Sequence, residues 1–197
     1  MGQDKASLIF GGETMLARAI RVMHEVAHEV IVVGRPDHNP FFVHRSATRE
    51  GGRGLPVRIT HDPVEDLGPL AGIAAGLAAS TTDLNIVVAC DMPLIKPAVL
   101  RRLCALRGDA DICVAVVDKH VSPLCAVYRA RVAGVASELL ASGERRVMAL
   151  LDRVPTTRVD ATAFGDIDPH LDSFISCDTP AAYQQALIRL KADATSG

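Results

Sequence analysis

Aromatic residues are scarce in this sequence: no tryptophan, two tyrosines and five phenylalanines among 197 residues. The hydrophobic 49% is therefore carried mostly by Ala, Val, Leu and Ile, a bias that suits helices packed on a buried parallel sheet. Charge of one sign is also lacking. A net charge of -2 gives no long-range field to gather nucleic acid or anionic lipid, so an anionic partner must be met by placed groups. No apolar run reaches about 18 residues, and no signal peptide is expected. The five cysteines, Cys90, Cys104, Cys113, Cys125 and Cys177, have no CxxC spacing. Their odd number and apolar neighbours exclude a disulfide framework and suit reduced thiols. A soluble, cytoplasmic, monomeric protein that binds neither nucleic acid nor membrane is expected.

What is present alternates. Apolar residues at helical spacing over Thr14–Ala27, with Thr14 as cap, predict a first helix. Glu29–Gly34, a continuous β-branched run, predicts a fully buried strand. The Pro-, Gly- and Arg-rich stretch Arg35–Pro56 predicts a long loop. Strands are predicted at "VRITHD", "NIVVACDMP", "DICVAVVD", "SPLCAVYR" and "TTRVDA". Helices are predicted at "GPLAGIAAGLAAS", Pro97–Arg107, Val132–Arg153 with a break at Gly143, and Thr179–Ala192 capped by Asp178 or Thr179. The alternation implies one α/β domain, a Rossmann-like three-layer sandwich with a mostly parallel central sheet.

Ligands of such sheets bind at the carboxyl ends of the strands. Asp62 and Asp91 each stand just past an apolar strand, where a carboxylate either caps the next turn or faces that crevice. Pro93 stops the ladder after Asp91, and a carboxylate on a rigid strand end suits Mg²⁺, which takes one or two such groups plus substrate phosphates. Gly68 and Gly72 bracket the turn into a small-residue helix. Small residues there serve close approach of a ligand to the helix N-terminus, or tight packing on the sheet.

Taken in order, "MGQDKA…FGGETML", "THD", "GPLAGIAAGL", "CDMPLI", "SPLCAVYR", "GERRVMALL" and "FISCDTPAAY" resemble molybdenum cofactor guanylyltransferase, within the wider Rossmann-like nucleotidyltransferases. The resemblance implies transfer of GMP from GTP to molybdopterin with release of pyrophosphate, Mg²⁺ as cofactor, and other cofactor-biosynthesis proteins and molybdoenzymes as partners. It implies that Lys5 contacts the triphosphate, with Gly2 and Asp4 in the same loop. Asp62 would hold the guanosine, Gly68, Pro69 and Gly72 the turn around the nucleotide, and Asp91 the metal. Lys5 and Asp91 would be the catalytic pair. Arg146 of "GERRVM" and His120 are placed on the acceptor side, with Arg145 on a solvated helical face. Residues 1–115 would form the nucleotide-binding half and 116–197 the acceptor-binding half.

Two departures stand out. The family pattern "NxNTP" before the last helix is replaced by Ser176-Cys177-Asp178-Thr179-Pro180, where Asp178 either ligands Mg²⁺ or caps the helix. The family strand and "LAGG" loop that precede "MG" are missing, so "GQDK" looks like half a phosphate loop and a misplaced start is expected. Three other readings remain at this level: a molybdopterin cytidylyltransferase or sugar-phosphate nucleotidyltransferase, a non-catalytic pterin-binding remnant, and a zinc protease. The last rests on His24-Glu25-Val26-Ala27-His28, which matches H-E-x-x-H. A strand follows that motif at once, and no third ligand is evident.

Overall fold

A computed structural model describes residues 5–34, 57–61 and 68–195. Gly2, Asp4, Asp62 and the stretch 35–56 lie outside the described residues. After a short 3₁₀ turn at Lys5–Ser7 the elements run β1 (Ile9–Phe10), β2 (Glu13–Thr14), α1 (Met15–His24), β3 (Val30–Gly34) and β4 (Val57–His61). They continue with α2 (Pro69–Ala79), β5 (Leu84–Val88), α3 (Pro97–Leu106), β6 (Ile112–Val117), β7 (His120–Arg129), α4 (Val132–Ala141), α5 (Val147–Arg153), β8 (Thr156–Asp160) and α6 (Pro180–Thr195).

The main sheet has the order β5-β7-β6-β8. β7 runs antiparallel to both β5 and β6, and β8 runs parallel to β6. Hence β5, β6 and β8 share one direction and β7 alone is reversed. The reversal is local in origin. Only Asp118 and Lys119 separate β6 from β7, and both are left-handed, with φ of 48° and 67°. Two left-handed residues turn the chain as a tight hairpin whose twist matches the flanking strands. The border at 115/116 expected between the two halves falls inside β6, so those halves share one sheet.

Period-two alternation sorts the core into two faces. Ile112 and Val114 of β6, with Ala126 and Tyr128 of β7, meet Leu70, Ile73 and Leu77 of α2 and the apolar sides of α4 and α5. Cys113 and Ala115, with Cys125 and Val127, meet Val22 of α1 and Val99, Leu100 and Leu103 of α3. Helices cover both faces, which makes the three-layer sandwich.

β3 and β4 pair in parallel, from Val30 opposite Val57 to Gly34 opposite His61. Among the described residues no ladder joins this pair to β5. The two helices that flank the sheet bridge the interval. α1 places Leu16 and Ile20 on Val30 and Val32, and its Val22 joins the cluster containing Ile86 and Val88. α2 packs Gly76 against Val33, where an added Cβ would stand 3.1 Å from the valine methyl, and its other side meets Val87. The sequence leads one to expect β3 fully buried. The structure buries Val30 and leaves Ile31–Gly34 half-buried, since only one edge of β3 is paired among the described residues.

Three helix ends differ from expectation or resolve it. α1 stops at His24 rather than Ala27, with Glu25 as its C-cap. His24 and His28 are therefore not presented from one helix, as an H-E-x-x-H zinc site requires. Gly143, at φ 85°, separates α4 from α5 as expected. Thr179 caps α6, its hydroxyl accepting from the Ala182 N–H at 3.1 Å, which leaves the Asp178 carboxylate for other partners.

Candidate active site

The carboxyl ends of β5, β6 and β8 lie along one edge of the sheet, as their common direction requires. Beyond β5 the chain makes one further sheet bond, Ala89 N–H to the Leu124 carbonyl at 2.9 Å, and then turns. Asp91 stands in that turn with its side chain 16% exposed. The backbone N–H of Cys177 donates to the Asp91 carbonyl at 2.8 Å. This brings the segment before α6 against the end of β5, and Asp178 beside Asp91.

Lys5 completes the cluster. Its ammonium donates to Asp91 Oδ2 at 3.0 Å and to Asp178 Oδ1. The Ser176 hydroxyl donates to the other Asp178 oxygen at 2.9 Å. Hydrogen bonding to Asp178, and then to Asp91, raises the Lys5 ammonium above its ordinary range against a partial loss of hydration. Reciprocally, Lys5 first and Ser176 second hold Asp178 below the ordinary carboxylate range. Burial pushes the Cys177 thiol up to about 11, so the side chain near the two acids is a protonated thiol packed with Phe10, Met15 and Leu94 rather than a soft anionic ligand.

Supports for this cluster come from residues that no local pattern singles out. Arg18 of α1 donates from Nε to the Pro93 carbonyl, pairs with Glu13 at 3.2 Å and lies over the Phe10 ring at 5.5 Å. Tyr183 of α6 donates to the Ile9 carbonyl and meets Phe10 edge-on. Asp168 has no exposed surface; it takes the Lys96 ammonium at 2.8 Å and the Ser173 N–H at 2.9 Å. The Lys96 N–H donates in turn to the Ser173 hydroxyl at 3.0 Å. These bonds anchor the 168–173 segment to the start of α3, a few residues before Asp178. A three-residue 3₁₀ turn such as Asp172–Phe174 carries no periodic signal, which is why pattern reading passes over it.

The glycines of α2 divide by environment. Gly68 opens the helix at φ 78° with no side-chain cap, and Pro69 follows at the first helical position. Among the described residues a Cβ on Gly72 would meet nothing within 4 Å, whereas one on Gly76 meets Val33. Gly76 is thus a packing glycine, and Gly72 keeps open space over the first turn. A Cβ on Gly68 would lie 3.9 Å from the Arg145 carbonyl, so the turn before α2 adjoins the turn before α5. In that second turn Glu144 Oε1 accepts from the Arg145 and Arg146 N–H groups, both at 2.9 Å. Arg146 is paired with Glu144 at 2.7 Å with its side chain 78% exposed, and Arg145 is exposed as well. His120 begins β7 opposite Val117 and is exposed, on the same sheet edge as Asp91.

The fold, a sheet reversed at one strand and sandwiched by helices, is that of the Rossmann-like nucleotidyltransferases. Molybdopterin-guanine dinucleotide biosynthesis protein A from Archaeoglobus fulgidus superposes with a TM-score of 0.78 over 97% of this chain and 92% of its own, at 21% identity. A Mycobacterium tuberculosis protein solved in complex with manganese superposes with a TM-score of 0.61 over 93% and 90% of the two chains, at 18% identity. In sequence, a family model described as the MobA-like NTP transferase domain matches residues 1–157. A Pelotomaculum thermopropionicum protein named "Probable molybdenum cofactor guanylyltransferase" is 31% identical over 191 residues, spanning 95% of this chain and 86% of that protein. The chain belongs to the MobA-like NTP transferase family and is a nucleotidyltransferase. Among the described residues, no helix is long and apolar enough to cross a membrane.

Proposed function

We propose that the chain transfers GMP from GTP to molybdopterin, forming the guanine dinucleotide form of the molybdenum cofactor and releasing pyrophosphate. The observation that carries this reading is the convergence of Lys5, Asp91 and Asp178, from three distant parts of the chain, on the carboxyl edge of the sheet. GTP rather than another nucleotide follows from the activity named for the similar proteins.

The donor set suits a hard divalent cation. Two carboxylates already share one positively charged group, and the neighbouring sulfur is held as a thiol. Mg²⁺ needs only one or two carboxylates when substrate phosphates complete its shell. Asp91 and Asp178 would hold it, and when bound it neutralises charge on the phosphate oxygens. Lys5 supplies an ammonium to the triphosphate and to the charge that grows on the departing pyrophosphate. The Gly68-Pro69 turn and the uncovered Gly72 let the nucleotide approach the backbone at the start of α2. Gly2 and Asp62 are assigned to the triphosphate and the guanosine, Arg146 and His120 to the acceptor.

With donor and acceptor held in line, a phosphate oxygen of molybdopterin attacks the α-phosphorus of GTP, and the bond to the β-phosphate oxygen breaks. No covalent enzyme intermediate is required. Calorimetric titration with GTP and with CTP, each with and without Mg²⁺, tests the reading together with an assay of GMP transfer to molybdopterin. Mg²⁺-dependent binding selective for GTP, with transfer, is the expected result. Equal binding of CTP, or binding without transfer, overturns it.

A further inference from the structure

The Lys5 ammonium lies between the same two carboxylates that are assigned to the cation, bonded to an oxygen of each. Lys5 also sits in a short 3₁₀ turn whose end is fixed by the Leu8 N–H to Lys5 carbonyl bond at 3.2 Å. Its backbone is held there while its long side chain keeps four rotatable bonds and a third of its surface in water, 32% exposed. Two carboxylates brought together by the Cys177–Asp91 backbone bond repel unless a cation stands between them. Without a divalent ion, Lys5 is that cation. Two of its three donors are taken by the acids, which leaves at most one for a triphosphate until the acids are released.

We propose that Lys5 is a placeholder that trades places with the divalent cation: metal entry displaces its ammonium from Asp91 and Asp178 and frees it for the nucleotide phosphates. This rests on the assignment of Asp91 and Asp178 to the cation. Lysine and metal then compete in the nucleotide-free protein and cooperate once a triphosphate is present. The exchange supplies the negatively charged ligand with a free ammonium only when the cation is in place, and it keeps the two acids ordered when it is not. Ser176, which donates to the Asp178 oxygen away from Lys5, keeps that carboxylate oriented through the exchange.

The test is Mn²⁺ binding to the full chain without nucleotide, read by electron paramagnetic resonance of the free ion. Lys5→Met removes the competitor and should bind Mn²⁺ about two- to fivefold more tightly than the wild type, the range expected when a partly exposed ion pair is lost. Lys5→Arg keeps a cation and should stay near the wild-type affinity. In a second measurement on the wild-type chain, acylation of Lys5 by an amine reagent, read by peptide mass spectrometry, should increase on adding Mn²⁺. It should not respond to Mn²⁺ in Asp91→Asn. This arm decides the question even if Lys5→Met does not fold. If Asp91→Asn loses Mn²⁺ but Lys5→Met binds no more tightly than wild type, the exchange is wrong and the metal assignment survives. If Asp91→Asn binds Mn²⁺ as well as wild type, or no form binds it, both are wrong.

Discussion

The backbone N–H of Cys177 donates to the carbonyl of Asp91 at 2.8 Å, and this one bond makes a pair out of two acids that are far apart in the chain. It joins main chain to main chain, so the side chain at 177 is free to be buried and the one at 178 is aimed outward. The neighbouring Asp168–Lys96 pair and the Thr179 cap hold the same segment from its two ends.

Asp91→Asn keeps the size and the backbone bond to Cys177 but removes the less exposed of the two carboxylates. GMP transfer should fall by about 10²–10³-fold, the scale of losing one preorganised electrostatic group. The circular dichroism spectrum should be unchanged. Steady-state transfer kinetics check this, and activity within tenfold of wild type would remove Asp91 from the site.

Gly72→Ala should separate stability from binding. The added methyl meets no atom of the described residues within 4 Å, and replacing Gly by Ala within a helix stabilises by roughly 0.5–1 kcal/mol. The melting temperature should therefore rise while GTP affinity falls, since the same open space is assigned to the nucleotide. Calorimetry of unfolding and of binding reads both. Unchanged GTP affinity would show that the nucleotide does not approach this turn.

Lys96→Met leaves the buried Asp168 carboxylate without its cation. Breaking a buried pair costs about 3–5 kcal/mol, and Lys96, with its side chain 31% exposed, places the loss near the lower end. The double variant Lys96→Met with Asp168→Asn should recover part of this, because no uncompensated charge remains. Urea unfolding of the wild type, Lys96→Met, Asp168→Asn and the double variant forms the cycle. A double variant less stable than Lys96→Met alone contradicts the account.

The same pair gives a pH dependence. Burial pushes Asp168 up, but the Lys96 ammonium and the Ser173 N–H pull it further down, leaving it below the ordinary 3.8. A carboxyl lowered by folding contributes stability above its unfolded value and loses that contribution as the pH falls through the folded one. In the wild type this loss lies below about pH 4. In Lys96→Met the pull of the ammonium is lost and burial, opposed only by Ser173, favours the protonated acid more than in the wild type, so the stability gap between variant and wild type should narrow as the pH falls towards 4. A gap that is constant from pH 7 to pH 4 would exclude this origin.

Much of the local structure could be read directly from the residues. Thr14 caps α1 through the Ala17 N–H at 3.1 Å, Gly143 breaks the α4–α5 helix pair, and the β-branched runs are strands. Each of these depends on groups within a few positions of one another, where propensity and capping act. The hairpin at Asp118-Lys119 escaped notice because neither residue is the glycine or asparagine that usually marks left-handed turns.

The sequence by itself determined the helices, the strands, their two-faced apolar alternation and the family motifs, because those patterns are local and periodic. Only the tertiary structure decided that Thr179 and not Asp178 caps α6, that Arg146 is paired with Glu144, and that Gly76 packs on Val33. It alone put Lys5 on acids 86 and 173 residues away. A side chain's partner across such distances is set by how sheet and helices pack, which no short window of sequence contains.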